Sequence, residues 1–241
     1  MILTIYLIIL AYFIIGGTLF YFIYRNREPE IALQNRNKFI SYFVIINILF
    51  ISIVFYPLVF HYLALLIVLV GLAEVINLFR KSGYSRKGFF SFSMFIFIVF
   101  SGGFICFSRM ENNLILFTFL VISIFDAFSQ ISGQILGKRK LFPSVSPKKT
   151  IEGLIGGGII AILSAFLFDG LTGNLDIPTL ALSSGIILFA FFGDAATSIY
   201  KRKYSVKDFS NLIPGHGGFL DRFDGLLAGA LFITLLDFFG V

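Results

Sequence analysis

Apolar residues run through this chain in blocks of roughly 20, each closed by a cluster of Lys and Arg or by a Pro or Gly turn. A helix rises about 1.5 Å per residue, so one such block covers a hydrocarbon layer of about 30 Å. Eight blocks predict membrane helices at about 2–24, 39–56, 58–79, 89–108, 113–136, 151–168, 178–200 and 224–240. The expected fold class is all-α, a polytopic membrane protein of about eight transmembrane helices. The second and third blocks abut at Pro57, with His61 just past the turn as an interface residue. Gly133 and Gly137, Gly153 and Gly157, and Gly225 and Gly229 are each four apart, the spacing that lets membrane helices approach closely.

The basic residues check this division independently. Arg25, Arg27, Arg36 and Lys38 fall in the first loop, Arg80, Lys81, Arg86 and Lys87 in the third, five more between Lys138 and Lys149, and five between Lys201 and Arg222. These alternate loops hold all but Arg109, so the positive-inside rule turns them to the cytoplasm and both termini outward. The opening stretch lacks Lys and Arg ahead of Arg25 and exceeds a signal-peptide core, so a retained span is expected. A hydrophobic content of 58% excludes a soluble globular reading. The net charge of +6 is accounted for by cytoplasmic loops and anionic head groups, and no nucleic-acid motif accompanies it. Cys106 is the only cysteine, which excludes an intrachain disulfide and a Cys-based zinc site. With 33 Phe and no Trp, interface belts would rely on tyrosines such as Tyr24, Tyr42, Tyr84 and Tyr200.

Orientation alone does not explain the polar run from Ser198 to Asp224. It combines Lys201, Arg202, Lys203, Lys207 and Arg222 with Asp208, Asp221, Asp224, His216 and a Pro-Gly-His-Gly-Gly turn. Topology needs cations, but not three aspartates and Gly215, Gly217 and Gly218 crowded together. Glycines allow backbone N–H groups close to a ligand, as in anion-binding turns. A second polar segment, Ser146-Pro147-Lys148-Lys149-Thr150, supplies a rigid turn, two cations and two hydroxyls just before a helix beginning near Glu152, a favourable place for phosphate. The Walker A spacing is absent.

Carboxylates at membrane depth are costly and mark cavities or pathways. Four qualify: Glu74, Asp126, Asp194 and Asp237. Asp194 lies about 10 Å along its helix from Lys201, and Asp126 about 16 Å from the basic loop after Gly137, so both are displaced towards the basic side. Asp221 and Asp224, three apart, share one helix face if the last helix has begun there. Carboxylates without thiolates suit a hard cation such as Mg²⁺, which bridges to substrate phosphates. Asp237 sits at the far end, and Glu74, six residues from Arg80, reads as a helix-end ion pair. Two basic, glycine-containing loops and a group of aspartates at the membrane boundary suit a polyphosphate with Mg²⁺ and a lipid with a polar head.

The run from Ser198 through Lys201-Arg202, Lys207-Asp208, Pro214-Gly215-His216-Gly217-Gly218 and Leu220-Asp221-Arg222 to Asp224 resembles the signature of phosphatidate cytidylyltransferases, the CDP-diacylglycerol synthases. Ser146 to Gly153, and Gly193-Asp194 with Ser198, also match that pattern, and the resemblance covers the chain from about Asp126 onwards. Thr197, the segment Asp126 to Gln130, and Gln134 depart from it near the lipid or nucleotide pocket. The resemblance implies condensation of CTP with phosphatidate to CDP-diacylglycerol and pyrophosphate, dependent on Mg²⁺, with a second cation left open. It assigns Asp194, Asp221, Lys201 and Arg222 to catalysis. Asp194, Asp221, Asp224 and Asp126 would bind metal. Ser146, Lys148, Lys149, Thr150, Ser198, Arg202, Lys207, His216 and Gly217 would bind substrate, with His216 either donating to a phosphate or fixing the turn.

The expected organisation is one integrated membrane domain, with motif-free helices over 1–110 and a catalytic region over 111–241. Its place would be a prokaryotic inner membrane with the site facing the cytoplasm, and a homodimer remains open. Rival readings are a cytidylyltransferase for an isoprenoid ether lipid phosphate of the CDP-archaeol type, a CTP-dependent lipid kinase, and a transporter using the membrane aspartates.

Overall fold

The computed structural model describes residues 1–25, 29–172, 177–213 and 217–240. His216, Pro214 and Gly215 lie outside the described residues. Among those described, eight α-helices follow in order: α1 (Ile2–Tyr24), α2 (Pro29–Phe55), α3 (Pro57–Lys81), α4 (Lys87–Phe107), α5 (Asn112–Ile135), α6 (Ile151–Leu167), α7 (Thr179–Lys203) and α8 (Leu220–Phe238). Six of them, α1 to α5 and α7, are long and apolar enough to cross a membrane. α6 is short at 17 residues, and α8 carries Asp221, Arg222, Asp224 and Asp237. The chain is a polytopic, all-α integral membrane protein.

Its centre is α5. In the most apolar window of α5, 61% of residues are buried, against 17% in α1. α5 packs on α6, α7 and α8 on one side and on α1 and α2 on the other, while large apolar side chains such as Leu3, Phe92, Leu163 and Phe192 face outward. Small residues set the closest approaches. A Cβ at Gly157 would lie 2.6 Å from the backbone N of Ser129, and one at Gly193 only 2.8 Å from the carbonyl of Asp224, so α5 and α6, and α7 and α8, meet nearly backbone to backbone. Polar ties cross between other helices: Tyr12 to Ser164 (2.7 Å), Tyr42 to the Ser123 carbonyl (2.9 Å) and Tyr200 to the Val75 carbonyl (2.8 Å). Tyr42 and Tyr200, expected in an interface belt, therefore turn inward, because each hydroxyl finds a carbonyl on a neighbouring helix. His61 pairs with Ser108 at the end of α4 (2.7 Å).

Two boundaries differ from the sequence expectation in ways that shape the site. α2 begins ten residues before the expected 39, so Arg36 and Lys38 are helical rather than in a loop. The segment after α5 is a small antiparallel hairpin, β1 (Lys140–Phe142) with β2 (Ser146–Thr150), where a turn was expected. Phe142 and Ser146 each precede a proline, which disfavours the helical region and extends the chain on both sides. Thr150 closes β2 and opens α6, its hydroxyl accepting from the Gly153 N–H at 3.1 Å.

Candidate active site

A single cavity of about 880 Å³ gathers the polar ends of these elements. One part is walled by the hairpin, by the basic end of α7 and by the start of α8; the other runs between α1, α2 and α5 past Ile9, Phe13, Phe39 and Ile46. Polar and apolar halves are thus continuous. Eight Lys or Arg and five Asp line it, a net charge of +3.

Every sequence-predicted site residue that is described lies on this cavity: Asp126, Ser146, Lys148, Lys149, Thr150, Asp194, Ser198, Lys201, Arg202, Lys207, Gly217, Asp221, Arg222 and Asp224. Their partners divide them into two groups. The first is tied into the protein. Asp221, with only 2% of its side chain exposed, takes Lys201 on Oδ1 and accepts the N–H groups of Phe209 (2.9 Å) and Gly218 (2.8 Å) on Oδ2. Three donors leave the carboxylate one of its four lone-pair positions, on Oδ1. Lys201 also lies 5.3 Å over the Phe209 ring. Arg202 donates to the carbonyls of Val145 (2.9 Å) and Val206 (2.8 Å), stapling the end of α7 to the hairpin. Asp224 accepts from Thr197 (2.6 Å) and from the Gly225 N–H (2.9 Å).

The second group faces the open space. Lys148, Lys207 and Arg222 are exposed and form no ion pair with a described residue. Asp126, in the middle of the bundle, opens to the cavity. Asp194 stands between the groups, since Lys149 pairs with its Oδ2 and Ser198 donates to Oδ1 at 3.3 Å. Lys149 in turn lies 5.3 Å over Phe191. Gly217 has φ +86°, and a Cβ there would come within 2.8 Å of Asp208, so both conformation and space require glycine.

Two residues escaped the sequence reading. Lys38 lines the cavity from α2 as a further cation without an ion pair among the described residues; its clustering with Arg36 suggests only topology. Glu74 was expected to pair with Arg80, six residues on. It instead turns into the bundle, 4% exposed, and accepts from Ser210 and from the N–H groups of Phe219 (2.8 Å) and Leu220 (2.7 Å). Those N–H groups begin α8, which has no side-chain cap of its own. A buried carboxylate is better satisfied by several fixed donors than by an exposed arginine.

Among the described residues, no group of three or more His, Cys, Asp or Glu is arranged to hold a metal by itself. Mg²⁺ commonly uses one or two carboxylates and fills its shell with water and substrate phosphate. Asp126, Asp194 and Asp224 on one cavity fit that mode. The arrangement as a whole can receive a polyanion beside a lipid tail: exposed cations at one end, apolar walls at the other, aspartates between.

Comparison with known proteins agrees with this chemistry. Residues 84–239 match the model of the cytidylyltransferase family. The chain is similar to phosphatidate cytidylyltransferase of Haemophilus influenzae, 42% identical over 132 residues that cover 52% of this chain and 46% of that protein. The Bacillus subtilis phosphatidate cytidylyltransferase is 42% identical over 125 residues, 51% of this chain and 46% of that protein. The alignment thus spans about half the length of these two relatives. With the phosphatidate cytidylyltransferase of Rickettsia typhi it is 32% identical over 235 residues, 90% of this chain and 97% of the other.

Proposed function

The chain belongs to the cytidylyltransferase family, and from that premise and its cavity we propose that it transfers CMP from CTP to the phosphate of phosphatidate, giving CDP-diacylglycerol and pyrophosphate. The observation that carries this reading is the continuity of a cationic compartment, in which Lys148, Lys207 and Arg222 form no ion pair with a described residue, with an apolar one between α1, α2 and α5. A nucleotide alone would not need the second, nor a lipid alone so many cations.

The lipid phosphate, with second pKa about 6, is largely a dianion at neutral pH, so it can attack without a general base. One of its oxygens forms a bond to the α-phosphorus of CTP. The bond from that phosphorus to the α,β-bridging oxygen breaks, and pyrophosphate leaves with the electron pair. The work left to the protein is alignment and neutralisation of charge. In this reading Lys148, Lys207 and Arg222 hold the triphosphate, with Ser146 and Thr150 beside them, and Lys38 meets the lipid phosphate at the mouth of the apolar compartment. Lys201 and Asp221 hold the two ends of the catalytic loop in register, and Arg202 holds the hairpin against it. Asp194 and Asp224, with Asp126, would hold Mg²⁺, which supplies further neutralisation of the phosphates. Ser198 orients Asp194. Gly217 gives the turn its shape. His216, which lies outside the described residues, would either donate to a phosphate oxygen or fix the turn.

We place this reaction at the cytoplasmic face of a bacterial inner membrane, where the positive-inside rule puts the basic loops. A homodimer is compatible with the outward apolar faces and is not required by the chemistry. The test is purified protein with CTP, Mg²⁺ and a panel of lipid phosphates that includes diacyl and isoprenoid ether forms. Phosphatidate should give the highest kcat/KM; preference for the ether lipid would move the acceptor to the archaeol type.

A further inference from the structure

Glu74 of α3 lies outside the residues that match the family model. We propose that Glu74 is a positioning residue that sets the start of α8, and through it the orientation of Arg222 and Asp224 towards the cavity. The proposal rests on the cytidylyl-transfer reading for its kinetic part and on geometry alone for its structural part.

Helix α8 receives no side-chain cap from its own N-cap residue, Phe219. The first N–H groups of any helix lack intrahelical partners and carry the positive end of the helix dipole. Glu74 supplies the missing acceptor from 145 residues away, taking Phe219 on Oε1 and Leu220 on Oε2. Its Oε1 also takes the hydroxyl of Ser210. The same stretch is gripped from the other side by Asp221, through Phe209 and Gly218. Two buried carboxylates on different helices therefore close the base of the loop at alternating positions: Phe209 and Gly218 on one, Ser210, Phe219 and Leu220 on the other.

Gly218 sits between them. A Cβ there would lie 2.8 Å from Asp221 Oδ2 and 2.9 Å from Glu74 Oε1, so the gap between the carboxylates is filled by backbone alone. Glu74 has no ion-pair partner among the described residues; its charge is met by backbone N–H groups and one hydroxyl. Asp221, Arg222 and Asp224 all fall in the first turn and a half of the helix it caps. A shift of about 1 Å in that turn can cost up to about 100-fold in rate, because the charges no longer meet the reacting phosphates in line.

The experiment compares wild type with Glu74→Gln and Glu74→Asp in detergent, measuring kcat and KM for CTP per folded molecule alongside deuterium exchange of the peptide amides. Gln offers one oxygen and presents an NH₂ to a backbone N–H; Asp keeps the charge but is one methylene short. Glu74→Gln should lower kcat at least tenfold with KM for CTP changed less than threefold. Exchange should quicken at Phe219 and Leu220 while the amides of 226–236 keep their protection, and Glu74→Asp should recover part of both losses. Unchanged kcat with quickened exchange at 219–220 would overturn the proposal, and so would unchanged exchange there. Loss of protection along the whole of α8 in both variants would also overturn it, by reducing Glu74 to a general stabiliser. If wild type itself makes no CDP-lipid, the transfer reading fails, and the exchange data still decide whether Glu74 holds the start of α8.

Discussion

Asp221 shows how the neighbours of a carboxylate can tie it into the protein as well as towards a ligand. Its carboxylate is nearly closed to solvent, and Lys201 and two backbone donors occupy three of its four lone-pair positions. Removing one member of a buried charge pair leaves the other uncompensated, at a typical cost of about 3–5 kcal/mol. Asp221→Asn should therefore lower thermal stability in detergent as well as turnover, since the new NH₂ would also confront a backbone N–H. A variant with wild-type melting but no activity would return Asp221 to a purely metal-binding role. By contrast Lys148, Lys207 and Arg222 line the cavity without an ion pair among the described residues, so their replacement should spare the fold. Lys38 could not be recognised from sequence: a lysine near a predicted membrane boundary serves orientation, and only the early start of α2 brings it to the cavity.

At the level of elements, the helices were legible because apolar blocks of membrane length are a strong signal, and the tight junction of α2 and α3 at Pro57 followed from proline at the first helical position. The four-residue glycine spacing was informative too, as Gly153 and Gly157 face Ser129 of α5. Gly157→Val should lower thermal stability by at least about 1–3 kcal/mol, the usual cost of overpacking, because its side chain would press on the Ser129 backbone at 2.6 Å. Unaltered melting of that variant would mean the two helices can separate there at little cost. The hairpin of β1 and β2 was not legible. Its three- and five-residue strands give too short an alternation to detect, and only its prolines hinted at an extended chain. Glu74 was misread for a related reason: spacing along one helix offers Arg80 as partner, while the actual partners lie in α8 and the loop before it, a contact that sequence distance hides.

The whole molecule places a polar cavity at one end of an apolar bundle, with α5 as the shared wall of its two compartments. The sequence singled out the candidate site residues of the C-terminal half, which line one cavity, but left the first 110 residues without a role. The structure gives them two: α1 and α2 line the apolar compartment, and α3 holds the start of α8 through Glu74. Orientation in the membrane can be checked with Asn211→Cys, an exposed position in the basic loop. A membrane-impermeant maleimide should label it in inside-out vesicles and leave it unlabelled in intact cells; the reverse pattern would place the cavity on the outer side. The central claim concerns which bond of CTP is broken. With phosphatidate and Mg²⁺ as co-reactants, CTP labelled at the α-phosphorus should deliver its label to the lipid product, while γ-labelled CTP should deliver it only to pyrophosphate. Label from the γ-position in the lipid would make the protein a lipid kinase, and pyrophosphate release without a labelled lipid would contradict transfer altogether.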